Sequence, residues 1–253
     1  MSRIVFSLAF ALAFCVMPDA AAAQQAAGAI AKDAIPVISD TPERFSTAIE
    51  IAVLLTVLSL LPAILISITS FTRIVIVLSF VRRALSVNEL PPNPVIIGLA
   101  LFLTMFVMAP VANRIHAEAW EPYSAGDMSV VEAGEAAWTE LSGFLITNTR
   151  ESELELFASM AKYEDPDDGS SLPLSIVVPA FILSELKTAF QMGFLLFLPF
   201  LVIDLVVSSV LLSMGMFMLP PVMISTPIKV LLFVLVDGWH LICQSVVTSF
   251  ATV

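Results

Sequence analysis

The sequence predicts an all-α protein of the integral-membrane type, with long apolar helices and an acidic helical insert between them. Of its 253 residues 58% are hydrophobic and only 13% charged, whereas soluble domains are roughly 45–50% apolar. Apolar segments at residues 51–71, 95–112, 189–212 and 230–250 are each close to the length that crosses a bilayer. None has the two-residue alternation of a barrel strand. Lipid offers the backbone no hydrogen-bond partner, so helices are the structure that remains.

Residues 1–23 read as a cleavable leader, with Arg3 as the positive start, a short apolar core from Ile4 to Met17, and a small-residue site that puts cleavage between Ala23 and Gln24. An uncleaved anchor is the alternative, but the run is shorter than the roughly 20 residues that span hydrocarbon. Residues 24–50, polar and carrying Lys32, Asp33, Asp40, Glu43 and Arg44, read as an exported arm. Residues 51–112 make a first helical hairpin whose connection holds Arg73, Arg82 and Arg83 against Glu89 alone.

Residues 113–175 form the acidic insert, with three cations and thirteen anions between 114 and 172. Trp138, Leu141 and Leu145, then Leu154, Phe157 and Met160, recur at three- and four-residue steps, which predicts two amphipathic helices. The run Glu164-Asp165-Pro166-Asp167-Asp168-Gly169 reads as a solvated turn. Divalent-ion binding is the sharper alternative, weakened by the Pro and by the lack of a calcium-loop pattern. Residues 176–253 make a second hairpin, interrupted by Met214-Gly215-Met216-Phe217-Met218 and a Pro220-Pro221 stop.

Positive connections stay in the cytoplasm, so Arg82 is expected inside, the insert outside, Lys229 inside and the C-terminus outside. The net charge of −11 and scattered cations exclude nucleic acid as a partner. Signatures of hydrolases, phosphate-binding loops and zinc proteases are absent from the sequence, so no enzyme and no cofactor is expected. His116 and Glu118 lack neighbouring ligands for a metal. Without Cys15, Cys243 stands alone, an inert small hydrophobe in an apolar stretch. A small-solute or ion transporter of the inner membrane stays open as a reading, because Asp204, Asp237, Pro199 and Pro220 interrupt apolar segments. The two halves carry no internal repeat in its support.

Three stretches resemble the FliP family of flagellar and type III secretion export-gate proteins: Ser70-Phe-Thr-Arg73-Ile-Val-Ile-Val-Leu-Ser79-Phe with Pro91-Pro92-Asn93, then Pro179-Ala-Phe-Ile-Leu-Ser-Glu185-Leu-Lys187-Thr-Ala-Phe190-Gln-Met-Gly193-Phe194, then Phe233-Val-Leu-Val-Asp237-Gly238-Trp239. The resemblance implies a structural subunit of the flagellar basal body in the bacterial inner membrane. It implies a homo-oligomer, a pentamer, forming a helical pore with FliQ and FliR beside the export components FlhB and FlhA. Unfolded protein substrates would leave the cytoplasm through it, and the acidic insert would face the periplasm. It also implies that Met214, Met216 and Met218 form a gasket, because unbranched thioethers repack around an irregular passing chain. Core filler is the plainer reading of these methionines.

Other residues carry expectations of their own. Asp204, alone in an apolar segment, is expected to find a partner in a neighbouring subunit or at a helix end, with a proton relay as the alternative. Glu185 and Lys187, two apart, cannot meet each other on a helix, so each is expected to pair across a subunit boundary; interfacial anchoring is the alternative. Asp237 reads as a satisfied interior polar group, expected to make a polar contact between subunits, and its spacing to His240 as half of an acid-base pair is discounted. Phe190, Phe194 and Phe197 make one aromatic stripe, read as helix packing or as passage lining. Arg73, Arg82 and Arg83 are expected to anchor the cytoplasmic side near anionic headgroups. Relatives tend to carry a neutral polar residue where Arg83 stands.

Overall fold

The computed structural model describes residues 42–86, 91–163 and 172–250. The expected leader with its Ala23–Gln24 junction, most of the exported arm and the acidic run at 164–169 lie outside these residues. Every regular element among them is helical. The chain divides into two units, residues 1–65 and 66–253.

In the first unit the described residues belong to helix α1 (Pro42–Ser67), whose last two residues fall in the second unit. From Ile51 to Leu61 its side chains are exposed on every face. A helix that is apolar all round is one whose cover comes from lipid or from another chain.

The second unit is built around α2 (Phe71–Ala84). Ile74, Val77, Leu78, Val81 and Ala84 are buried along one face at three- and four-residue steps, packed against α7 and α3. The sequence reading treated this stretch as a charged connection. Its three arginines and Ser-Phe-Thr start masked the helical period, and it is instead the central helix of the core.

Helix α3 (Asn93–Ile115) contributes Ile96, Ala100, Val107 and Val111, then passes through one widened turn (His116–Trp120) into α4 (Glu121–Ala125). The insert has the two expected helices, α5 (Val130–Thr147) and α6 (Glu151–Met160). Ser129 starts α5 with a reciprocal cap: its hydroxyl accepts from the Glu132 N–H while the Glu132 carboxylate accepts from its own N–H. Phe144 and Leu145 drop into the common core, where the Phe144 ring lies 6.0 Å from Phe181 and 6.4 Å from Phe250. On α6 the expected face is only partly correct. Met160 is exposed and the buried member is Glu153.

Helix α7 (Leu174–Ser213) is 40 residues long, about 60 Å at 1.5 Å per residue, twice the hydrocarbon thickness. It continues through Pro179 and Pro199, each of which removes one backbone hydrogen bond. Its first half carries the core face, including Val177, Phe181 and Ala189, while most of its second half is open apolar surface. The helix ends at Ser213, where Gly215 closes the cap ahead of the Pro pair. Gly215 adopts φ 74°, and the Gly215 and Met216 N–H groups close back on the Leu212 and Leu211 carbonyls.

Helices α8 (Val222–Leu235) and α9 (Gly238–Thr248) meet at 65°, where the sequence suggested one segment. The break is at Asp237, held at φ 51°. Among the described residues two helices are long and apolar enough to cross a membrane, 93–125 and 174–213, or up to four if each broken pair (51–84, 222–248) counts as one span.

Gly193 sets the separation of α2 and α7. A Cβ there would stand 2.5 Å from the Phe80 ring. Gly193→Ala is expected to lower stability by about 1–3 kcal/mol through overpacking. Thermal unfolding in detergent checks this, and Phe80→Leu in the same chain should recover most of the loss.

Candidate functional site

Three polar ties hold the helices of the second unit together. In the first, Arg73 on α2 grips Glu185 on α7 with two parallel bonds, Nε to Oε2 at 2.9 Å and Nη2 to Oε1. Both side chains are almost wholly enclosed, at 4% and 1% exposure. Arg73 Nη1 also donates to the Ser249 carbonyl at 3.0 Å and to the Ser249 hydroxyl oxygen at 2.9 Å, and the guanidinium lies 3.9 Å above the Phe250 ring. One side chain thus joins α2, α7 and the chain beyond α9. Such a forked geometry is available to Arg and not to Lys.

The second tie links α7, α8 and the end of α2. Lys229 Nζ, at 1% exposure, donates to Asp204 Oδ2 at 2.6 Å and to the Ser86 hydroxyl at 2.8 Å. Ser225, Lys229 and Phe233 fall four residues apart and form the buried face of α8. The other carboxylate oxygen, Asp204 Oδ1, is enclosed and receives no hydrogen bond.

The third tie docks the insert. Lys187 Nζ on α7 donates to Glu153 Oε1 on α6 at 2.8 Å. Beside it the Arg150 N–H donates to Ser184 Oγ at 3.1 Å, and its guanidinium donates to Thr188 and Gln191. The Lys187 hydrogen bond holds the Glu153 carboxyl below its ordinary value of 4.5 against the opposing effect of burial. A depressed folded value means the tie stabilises docking fully above the ordinary value and loses that contribution as pH falls through the folded one. Hydrogen exchange of α6 is therefore expected to accelerate as pH drops below 4.5, relative to the intrinsic rate, and Glu153→Gln should abolish that pH dependence.

These ties correct several expectations. Arg73 is a buried core group and not an anchor at the membrane surface. Glu185, Lys187 and Asp204, expected to pair across a subunit boundary, each have a partner inside the same chain. Lys229, which fixed the last two steps of the sequence-based orientation, is internal and neutralised. The physical reason is shared: helical spacing says which residues occupy one face, but not which distant helix that face meets.

The remaining charges lie at the surface. Arg82 donates to the Asn93 side chain at the start of α3, and Arg83 is exposed. Asp237, expected as a satisfied interior polar group, is instead exposed, because the chain breaks there between α8 and α9, and His240 is exposed as well. His116 Nδ1 lies 3.2 Å from Glu121 Oε1 in the widened turn. Among the described residues no cluster of three His, Cys, Asp or Glu side chains could hold a metal.

The 214–221 connection between α7 and α8 is the counterpart of the buried ties. Met214 and Phe217 are largely exposed, Met218 is 97% exposed, Met216 is partly open, and Met223 in the first turn of α8 is exposed beside them. The structure gives these side chains no role in the core of the second unit. Phe190 and Phe194 are also exposed, although Phe190 meets Phe80 edge-on at 5.5 Å, and Phe197 is partly covered by the core.

Comparison with known proteins matches the FliP family over residues 54–246. The chain is 54% identical to the flagellar biosynthetic protein FliP of Bacillus subtilis over 212 residues, covering 84% of this chain and 96% of that one. It is 49% identical to the protein of that name from Pectobacterium carotovorum over 208 residues, 82% of this chain and 81% of the other. With the Caulobacter vibrioides protein of the same name it shares 47% identity over 246 residues, 97% and 90% of the two chains. On this likeness, with helices long and apolar enough to cross a membrane, the chain belongs to the FliP family and is a membrane-associated component of flagellar biosynthesis and export.

Proposed function

We propose that the chain is a structural subunit of the flagellar export gate, acting by shape and carrying out no reaction. Several copies, a pentamer, join FliQ and FliR to enclose a pore for unfolded substrates, next to FlhB and FlhA in the inner membrane. The insert faces the periplasm, and the 214–221 loop closes the empty pore.

One observation carries this reading: the buried cations Arg73 and Lys229 are paired within the chain, while among the described residues the methionine loop and the apolar faces of α3, α7 and α8 have no cover. Charges neutralised internally leave packing as the means of association, and exposed apolar surface of this extent belongs to a contact or to lipid. Thioethers on a loop can seal against one another when the passage is empty and repack around a chain within it.

The test is the conductance of the reconstituted gate. Met214→Ala, Met216→Ala and Met218→Ala together are expected to raise resting ion leak at least about tenfold over the intact assembly, a modest barrier change of about 1.4 kcal/mol. Unchanged leak through a correctly assembled complex would remove the seal from the loop.

A further inference from the structure

Helix α2 has a second apolar face at the edge of the core, where Val75 and Ile76 are only partly buried. Val75, Ile76, Ser79, Phe80 and Arg83 line an open groove of about 220 Å³ with Phe190 of α7 as its far wall. Val75 and Arg83 are eight residues apart, so the groove runs about 12 Å along the helix. Its walls are hydrocarbon and aromatic, with Phe80 and Phe190 edge-on at 5.5 Å. The Ser79 hydroxyl is already committed to the Val75 carbonyl at 2.7 Å. At the mouth stands the exposed Arg83 guanidinium, without an ion-pair or hydrogen-bond partner among the described residues.

We propose that this groove holds one acyl chain of an anionic phospholipid, with the lipid phosphate on Arg83. Two magnitudes favour lipid over a second copy of the chain. A helix about 10 Å across does not enter a space of about 220 Å³, whereas a single alkyl chain does. An unpaired guanidinium closing an apolar slot also matches a molecule that is itself a phosphate on a hydrocarbon tail, and basic pockets between membrane helices take such headgroups. The Arg82 guanidinium is turned to the Asn93 side chain, so the guanidinium that lines the groove is that of Arg83.

The experiment is native mass spectrometry of the full-length protein released from a mild detergent after addition of phosphatidylglycerol, with phosphatidylcholine of the same acyl chains and inorganic phosphate as comparators. Retained phosphatidylglycerol adducts are expected, about fivefold weaker in Arg83→Gln, the loss expected of one interfacial arginine. Ser79→Phe, which fills the slot and leaves Arg83 intact, should remove them. Equal retention of phosphatidylcholine, or Arg83→Gln binding phosphatidylglycerol as the intact protein does, overturns the site. Competition by inorganic phosphate at equal concentration would mean an anion site without a lipid slot and also overturns it. A change of oligomer mass in Arg83→Gln with lipid adducts unaltered assigns the groove to a second copy instead. Arg83 is exposed, so that variant keeps its core and reports even where Ser79→Phe fails to fold.

Discussion

Arg73→Ala is expected to cost about 3–5 kcal/mol, enough to remove most folded subunit from the membrane, because it strands the Glu185 carboxylate in the core. Glu185 is 1% exposed and its hydrogen-bonding partner in the core is Arg73. The loss reaches further than one pair, since Arg73 also holds Ser249 and covers Phe250. Arg73→Lys should recover little, as an ammonium cannot reproduce the fork and reach Ser249 as well. Combining Arg73→Met with Glu185→Leu should recover much of it, because two apolar groups of similar volume leave no buried charge behind. Thermal midpoints in detergent would decide the matter. A double variant as unstable as Arg73→Ala would mean that the Ser249 link, and not the stranded carboxylate, carries the cost.

The second large effect is expected from Lys229→Ala, at about 2–3 kcal/mol, confined to the α7–α8 hairpin. Its partner Asp204 keeps 34% of its side chain open, which moderates the penalty relative to the first tie. Asp204 already has one enclosed oxygen without a donor, so losing Lys229 leaves both oxygens poorly served. Hydrogen exchange should quicken in α8 and the second half of α7 while α2 and α5 stay protected. Adding Asp204→Asn should restore part of the protection by removing the charge. Uniform deprotection of the whole unit would show that this tie is wired into the global core.

The helical class and the insert's two helices were legible because apolar run length and three- to four-residue spacing determine them directly. The place of α2 was not, since its arginines read as a surface connection until a partner for Arg73 was known. The Asp204–Lys229 pair was within reach of the sequence. Each lies twelve or thirteen residues from Phe217, so a hairpin turning there brings them level. Glu153 also left a signal, lying four residues before Phe157 on the face that docks. The Arg73–Ser249 contact left none, because the two residues are separated by 176 positions and meet only through the α8–α9 bend. The Pro220-Pro221 pair suggests the stop at the methionine loop's far end, whereas the left-handed Gly215 closes α7 several residues earlier.

The central claim is that this chain works by packing against other chains and not alone. Its most direct test is the mass and composition of the particle that the full-length protein forms when extracted in mild detergent from cells carrying the other export components. The account predicts a large particle with several copies of this chain and additional membrane subunits. A lone protomer that carries ions or small solutes across liposomes would contradict it.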